Sequence, residues 1–93
     1  MNLVHVVTVN LNAPALNAVT NSVSDVFTSA DAAFAHAKEL ADNWVGILAD
    51  REGGHSVFEA REFEQESQLR GFWIYRNNRI IGRIISNSRE LKG

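Results

Sequence analysis

The sequence predicts an α+β domain: a four- to five-stranded antiparallel sheet with one amphipathic helix packed on one face, in the order β-(β)-α-β-β-β. Three observations carry this prediction. The β-branched run Leu3-Val4-His5-Val6-Val7-Thr8-Val9 opens the chain. Apolar residues at helical spacing occupy positions 30–48. Two apolar segments then flank Asn77-Asn78 near the C-terminus. With 93 residues, the chain is expected to form a single domain over 1–93. Folding of a chain this size buries roughly two-thirds of its extended surface, enough for one modest core without metal or disulfide staples.

The run over residues 3–9 predicts a strand, because β-branched side chains pack well on a pleated surface. Both of its faces are largely apolar, which places it inside the sheet rather than at an edge. Asn-rich residues 10–22, with Pro14 near the start, read as a long loop. Val23–Phe27 reads as an optional short strand beside the first.

Thr28-Ser29-Ala30-Asp31 fits the helix-start pattern in which a hydroxyl accepts an orphan amide and an acid sits near the positive end of the dipole. Ala30, Ala33, Phe34, Ala37, Leu40, Ala41, Trp44 and Leu48 then form one stripe at i, i+3, i+4 spacing, an amphipathic helix. Its end falls either at Gly46 or near Asp50, with a strand over Val45–Ala49 as the alternative. Gly53-Gly54 breaks any element.

His55–Phe63 predicts a strand, and Glu64-Gln65-Glu66-Ser67 a polar turn. Asparagine tolerates positive φ, so Asn77-Asn78 predicts a tight hairpin turn joining strands at about 70–76 and 79–86. A two-residue turn sets the register, pairing Trp73 with Gly82 and Phe72 with Arg83. Trp73, Tyr75, Ile80, Ile84, Gly71 and Gly82 would then share the face under the helix. Arg70, Phe72, Ile74, Arg76, Arg79, Ile81, Arg83 and Ile85 would face outward. A slip of one residue exchanges the two faces.

Charge is unevenly spread. Residues 1–66 hold three cations and ten anions, and residues 67–93 hold six cations and one anion. Arg70, Arg76, Arg79, Arg83 and Arg89 make up most of the late positive charge. Such asymmetry marks either an anion-facing surface or pairing with the acidic segment Glu59–Glu66.

Chemistry-bearing motifs are scarce. With no cysteine in the chain, disulfides, thiolate metal sites and a cysteine nucleophile are excluded. His5, His36 and His55 do not share a helix-face spacing; His5 reads as a packed strand residue and the other two as surface residues. Gly53-Gly54 lacks the lysine and hydroxyl residue of a phosphate loop, and no serine sits in a G-x-S-x-G context. The expectation is a protein that is not an enzyme, with no cofactor and no metal. No apolar run approaches the roughly 18–20 residues that span a bilayer, and no basic, signal-type leader opens the chain. A soluble cytoplasmic protein with an intact start and no membrane contact is therefore expected.

The function expected from these features is a protein-binding module. Arg70, Phe72, Ile74, Arg76, Arg79, Ile81 and Arg83 are the candidate partner-binding residues, because arginine among aromatic and aliphatic side chains typifies interface centres. The partner would be a larger protein or nucleoprotein, or a second copy in a homodimer. In size and style, though in no residue motif, the chain is similar to small inhibitors and adaptors of phages and mobile elements, anti-CRISPR proteins among them. The alternative is direct nucleic-acid binding by the arginine-rich C-terminal hairpin. There Arg70-Gly71-Phe72-Trp73-Ile74-Tyr75 resembles in part the R-G-F-x-F signature of RNA-recognition motifs, without that family's surrounding spacing. A third reading is a small-molecule enzyme or sensor with the 10–22 loop over a pocket.

Overall fold

The computed structural model describes residues 3–65 and 69–90. Glu66 and Ser67 of the expected turn, and Lys92 of the basic segment, lie outside them. The elements are β1 (Leu3–Ala13), a 3-10 turn (Pro14–Leu16), β2 (Ala18–Phe27), α1 (Ala30–Glu52), β3 (Phe58–Glu64), β4 (Leu69–Arg76) and β5 (Arg79–Glu90). The five strands form one sheet in the order β2-β1-β5-β4-β3. All neighbours are antiparallel, and α1 packs on one face. The predicted α+β architecture is the one observed.

β1 is interior, as its apolar faces predict, but it continues four residues past Val9. The segment 10–22 is not a loop. Asn10–Ala13 complete β1, Pro14–Leu16 make the turn with Asn17 at φ 56°, and β2 starts at Ala18. The sequence hides β2 because strand patterning arises from burial of one face, and β2 buries almost neither. From Val19 to Val26 every residue except half-buried Thr20 is exposed. Pairing with β1 draws this stretch into the sheet, and Ser24 Oγ meets His36 Nε2 of α1 at 3.1 Å.

The helix is capped by Ser29, one residue after the expected Thr28: the Ala32 amide donates to Ser29 Oγ at 3.2 Å. It runs through Gly46 and past Asp50 to Glu52, and Val45–Ala49 is helical. Gly53 stops it in the left-handed region at φ 68°, its N–H donating to the Ala49 and Asp50 carbonyls. Ala33, Ala37, Ala41 and Leu48 of the predicted stripe are buried, with Phe34, Leu40 and Trp44 against the same core. The small alanines let α1 lie close to the sheet. Arg51 ties the helix end to the β1–β2 turn by donating to the Leu16 and Asn17 carbonyls at 3.2 and 3.0 Å.

The core lies between α1 and the sheet, built from Val7, Val9 and Leu11 of β1, Phe58 of β3, Phe72 and Ile74 of β4, and Ile84 of β5. His5 is packed among them as expected, and its Nδ1 meets Ser88 Oγ at 2.8 Å. The Cα trace measures 48 × 21 × 17 Å. A thickness of 17 Å holds one sheet and one helix layer, so no described element covers the other side of the sheet.

Candidate interaction face of the sheet

The hairpin sets which side chains reach the uncovered side. Asn77 and Asn78 adopt φ 49° and 67°, the two left-handed residues of the predicted primed turn. Arg76 opposes Arg79 and Tyr75 opposes Ile80, as the turn requires. A β-bulge then intervenes. Ile74 opposes Gly82, Trp73 opposes Arg83 and Phe72 opposes Ile84, leaving Ile81 as the extra residue.

This one-residue shift corrects the expected faces. Phe72 and Ile74 are buried beneath the helix, and Ile81 is half-buried against the same core. Phe72 stacks on Phe34 with ring centroids 5.3 Å apart. Arg70 lies on the helix side, its guanidinium 3.9 Å from the centre of the Phe34 ring. Arg76 is also on the helix side and holds Glu52 at 2.5 Å. Arg79 stands opposite it, exposed at the hairpin end. Of the seven candidate partner-binding residues, Arg83 alone stands on the open face. Trp73 and Tyr75, expected in the core, stand there with it.

The exchange has a physical cause. A buried Trp or Tyr needs a partner for its N–H or O–H, whereas Phe72, Ile74 and Ile84 carry no polar side-chain atom. The bulge lets all three isoleucines and phenylalanines on the inner side meet α1 and turns the amphipathic rings toward water. Gly82 makes this register possible, since a Cβ there would lie 2.5 Å from Leu11 Cδ2 and against the Asn10 carbonyl. The expected pairing of an aromatic residue with a cross-strand glycine does occur, but between Phe63 and Gly71.

Strand register places the open face in rows. Val19, Asn21, Val23 and Val26 come from β2, Val4, Val6, Thr8, Asn10 and Asn12 from β1, and Ile80, Arg83, Ile85, Asn87 and Arg89 from β5. Trp73 and Tyr75 come from β4, and Glu59, Arg61 and Phe63 from β3. The aromatic group is the densest part. Phe63 and Trp73 sit with ring centroids 5.2 Å apart. Arg61 lies 4.0 Å over the Tyr75 ring, pairs with Glu59 and donates to Asn78 Oδ1 at 2.9 Å. The hydrogen bond that Arg61 donates to the Glu59 carboxylate raises the Arg61 pKa above its ordinary value, so this guanidinium stays charged at any working pH.

The charges also divide by side. The open face carries Arg61, Arg83 and Arg89 against Glu59, a net positive surface. Acidic residues outnumber basic ones on α1 and the sheet face beneath it. Among the described residues, Glu59, Glu62 and Glu64 form no ion pair with the hairpin arginines: Glu59 pairs with Arg61 inside β3, and Arg76 pairs with Glu52 at the helix end.

Among the described residues no group of three or more His, Asp or Glu side chains is placed to hold a metal ion, and no helix is long and apolar enough to cross a membrane. Comparison with protein-family models, curated proteins and solved structures finds no match.

Proposed function

We propose that this chain is a non-enzymatic binding module, a small inhibitor or adaptor, that docks on a larger protein or nucleoprotein through the open face of its sheet. The observation that supports this reading is the Phe63–Trp73–Tyr75–Arg61 group on a face no described element covers. Aromatic rings and arginine are enriched at the centres of protein interfaces, where they fill well-packed, desolvated pockets. Val6 and Ile85 extend the apolar surface between strands, and Asn10, Asn87 and Arg83 supply polar groups around it.

The test compares proteins captured by the immobilised wild-type chain with those captured by a Trp73→Ala/Arg83→Glu variant. Glu39→Lys on the exposed side of α1 serves as control. Loss of a specific partner with the double variant, at unchanged circular dichroism, is the expected result. The same partners at the same yield on all three proteins would remove the reading. Arg76→Glu is unsuitable here because it breaks the pair with Glu52.

Single-stranded nucleic acid is the second reading, favoured by the positive sign of the open face and by Trp73 and Tyr75 side by side on one strand. One side of each ring is already taken, by Phe63 and by Arg61, which leaves less room for stacked bases and favours protein. Fluorescence anisotropy with labelled single-stranded DNA and RNA separates the two. Affinity that collapses with salt would put nucleic acid first.

A further inference from the structure

We infer that two copies of this chain pair through the outer edge of β2, antiparallel, about a two-fold axis at Asn21. The two ends of the sheet differ sharply. β3, one edge, carries Glu59, Arg61, Glu62 and Glu64 among its 7 residues, the charge pattern that blunts strand addition. β2, the other edge, has 10 residues and a single charge, Asp25. No described strand pairs with its outer side.

β2 is also exposed on both faces. Val19 and Val23 are 65% and 60% exposed on the open side, and Ser22 and Ser24 are exposed on the helix side. Ser24 and Phe27 meet His36 of α1, but the outer edge of the strand presents unpaired backbone N–H and C=O groups, a template for one more strand. A second β2 supplies what it lacks.

The sequence of the edge matches itself. Val19-Thr20-Asn21-Ser22-Val23 reads nearly the same in both directions. With the axis at Asn21, Val19 opposes the partner's Val23, Thr20 opposes the partner's Ser22, and Asn21 opposes the partner's Asn21. Residues directly opposite share a face, so valine meets valine on the open side and hydroxyl meets hydroxyl on the helix side. The smallest shifts that keep side chains on their faces set Val19 against Asn21 or Asp25 instead. The β-bulge at Ser24 bends the strand after this segment, and the chosen register places Asp25 beyond the paired stretch, away from its copy. The result is a self-complementary interface of the closed, two-fold kind. It joins the two sheets edge to edge, with both helices on one side and both open faces on the other. The open face stays free, so this pairing does not depend on the binding role proposed for it.

The experiment is sedimentation equilibrium of the full chain over a range of concentrations, alone and as Asn21→Lys. The variant sets two like charges against each other at the axis. A dimer that becomes a monomer with Asn21→Lys, at unchanged circular dichroism, is the expected result. Cross-linking supplies an independent readout, because the native chain has no cysteine. Opposed Cα atoms in an antiparallel pair lie about 4.5 or 5.5 Å apart, both within the roughly 4.4–6.8 Å that a disulfide spans. Asn21→Cys should therefore form a disulfide-linked dimer at least about tenfold faster than Asn43→Cys on the exposed side of α1. A chain that is monomeric at every concentration, a dimer that survives Asn21→Lys, or equal cross-linking rates for the two cysteine variants would each overturn the inference. If Asn21→Lys does not fold, the cross-linking comparison decides.

Discussion

Trp73 stands directly across from Arg83 on the β4–β5 ladder, both on the side of the sheet away from the helix. The bulge at Ile81 creates this relationship and keeps Gly82 on the inner side between Ile74 and Leu11. Close proton contacts between the Trp73 and Arg83 backbones are expected by NMR, with none of that strength between Trp73 and Gly82. Gly82→Ala should cost about 1–3 kcal/mol by overpacking, since its new methyl group meets the Asn10 backbone and the Leu11 side chain. Urea unfolding measures the loss.

The two isoleucines nearest the bulge test which side is the core. Ile74 is fully buried and Ile80 is 54% exposed. Ile74→Ala should lose about 2–5 kcal/mol of stability, whereas Ile80→Ala should stay within about 0.5 kcal/mol of wild type. Equal effects would contradict the bulged register.

Gly46 offers a stabilising substitution. It lies inside α1, exposed, with open space where a Cβ would stand. Glycine costs a helix interior backbone entropy, so Gly46→Ala should add about 1 kcal/mol. A rise in the thermal midpoint, with an unchanged spectrum, checks it.

Glu52 gives the protein an acid-sensitive tie. Its Oε1 accepts from Ser56 Oγ at 2.6 Å and from Arg76 at 2.5 Å. The Ser56 hydrogen bond, followed by that of Arg76 and its charge, outweighs partial burial and holds the carboxyl below its ordinary value of 4.5. A carboxylate with a lowered folded-state pKa contributes fully above the ordinary value, and the contribution is lost as pH falls through the lowered one. The thermal midpoint of the wild type should therefore drop more on acidification below pH 4.5 than that of Glu52→Gln. Parallel curves for the two proteins would show that this group is uncoupled from folding.

Much of the fold is written locally. The β-branched run of β1, the alanine stripe of α1, the stop at Gly53 and the Asn77-Asn78 turn each follow from the conformational preferences of a few neighbouring residues. Those signals were sufficient for the element order and for the sheet-plus-helix architecture. β2 was only partly legible, since a strand that buries neither face leaves no periodic pattern, and its backbone pairing with β1 has no signature in side-chain type.

Local residue preferences place a hairpin at Asn77-Asn78 and give its strands two chemically different faces. Which of those faces meets the helix depends on contacts between residues far apart in the chain. Strand alternation has a period of 2, so one bulged residue exchanges inside and outside for every residue beyond it. The local sequence Arg79-Ile80-Ile81-Gly82-Arg83 is compatible with either register. The choice came from distant partners: Leu11 leaves room only for a glycine, α1 has purely apolar neighbours in Phe72, Ile74 and Ile84, and the polar atoms of Trp73 and Tyr75 stand on the face that no helix covers. Packing across the whole domain thus moved the candidate binding surface from Phe72 and Ile74 to Trp73, Tyr75, Phe63 and Arg61, because burial favours side chains with no hydrogen bonds to satisfy.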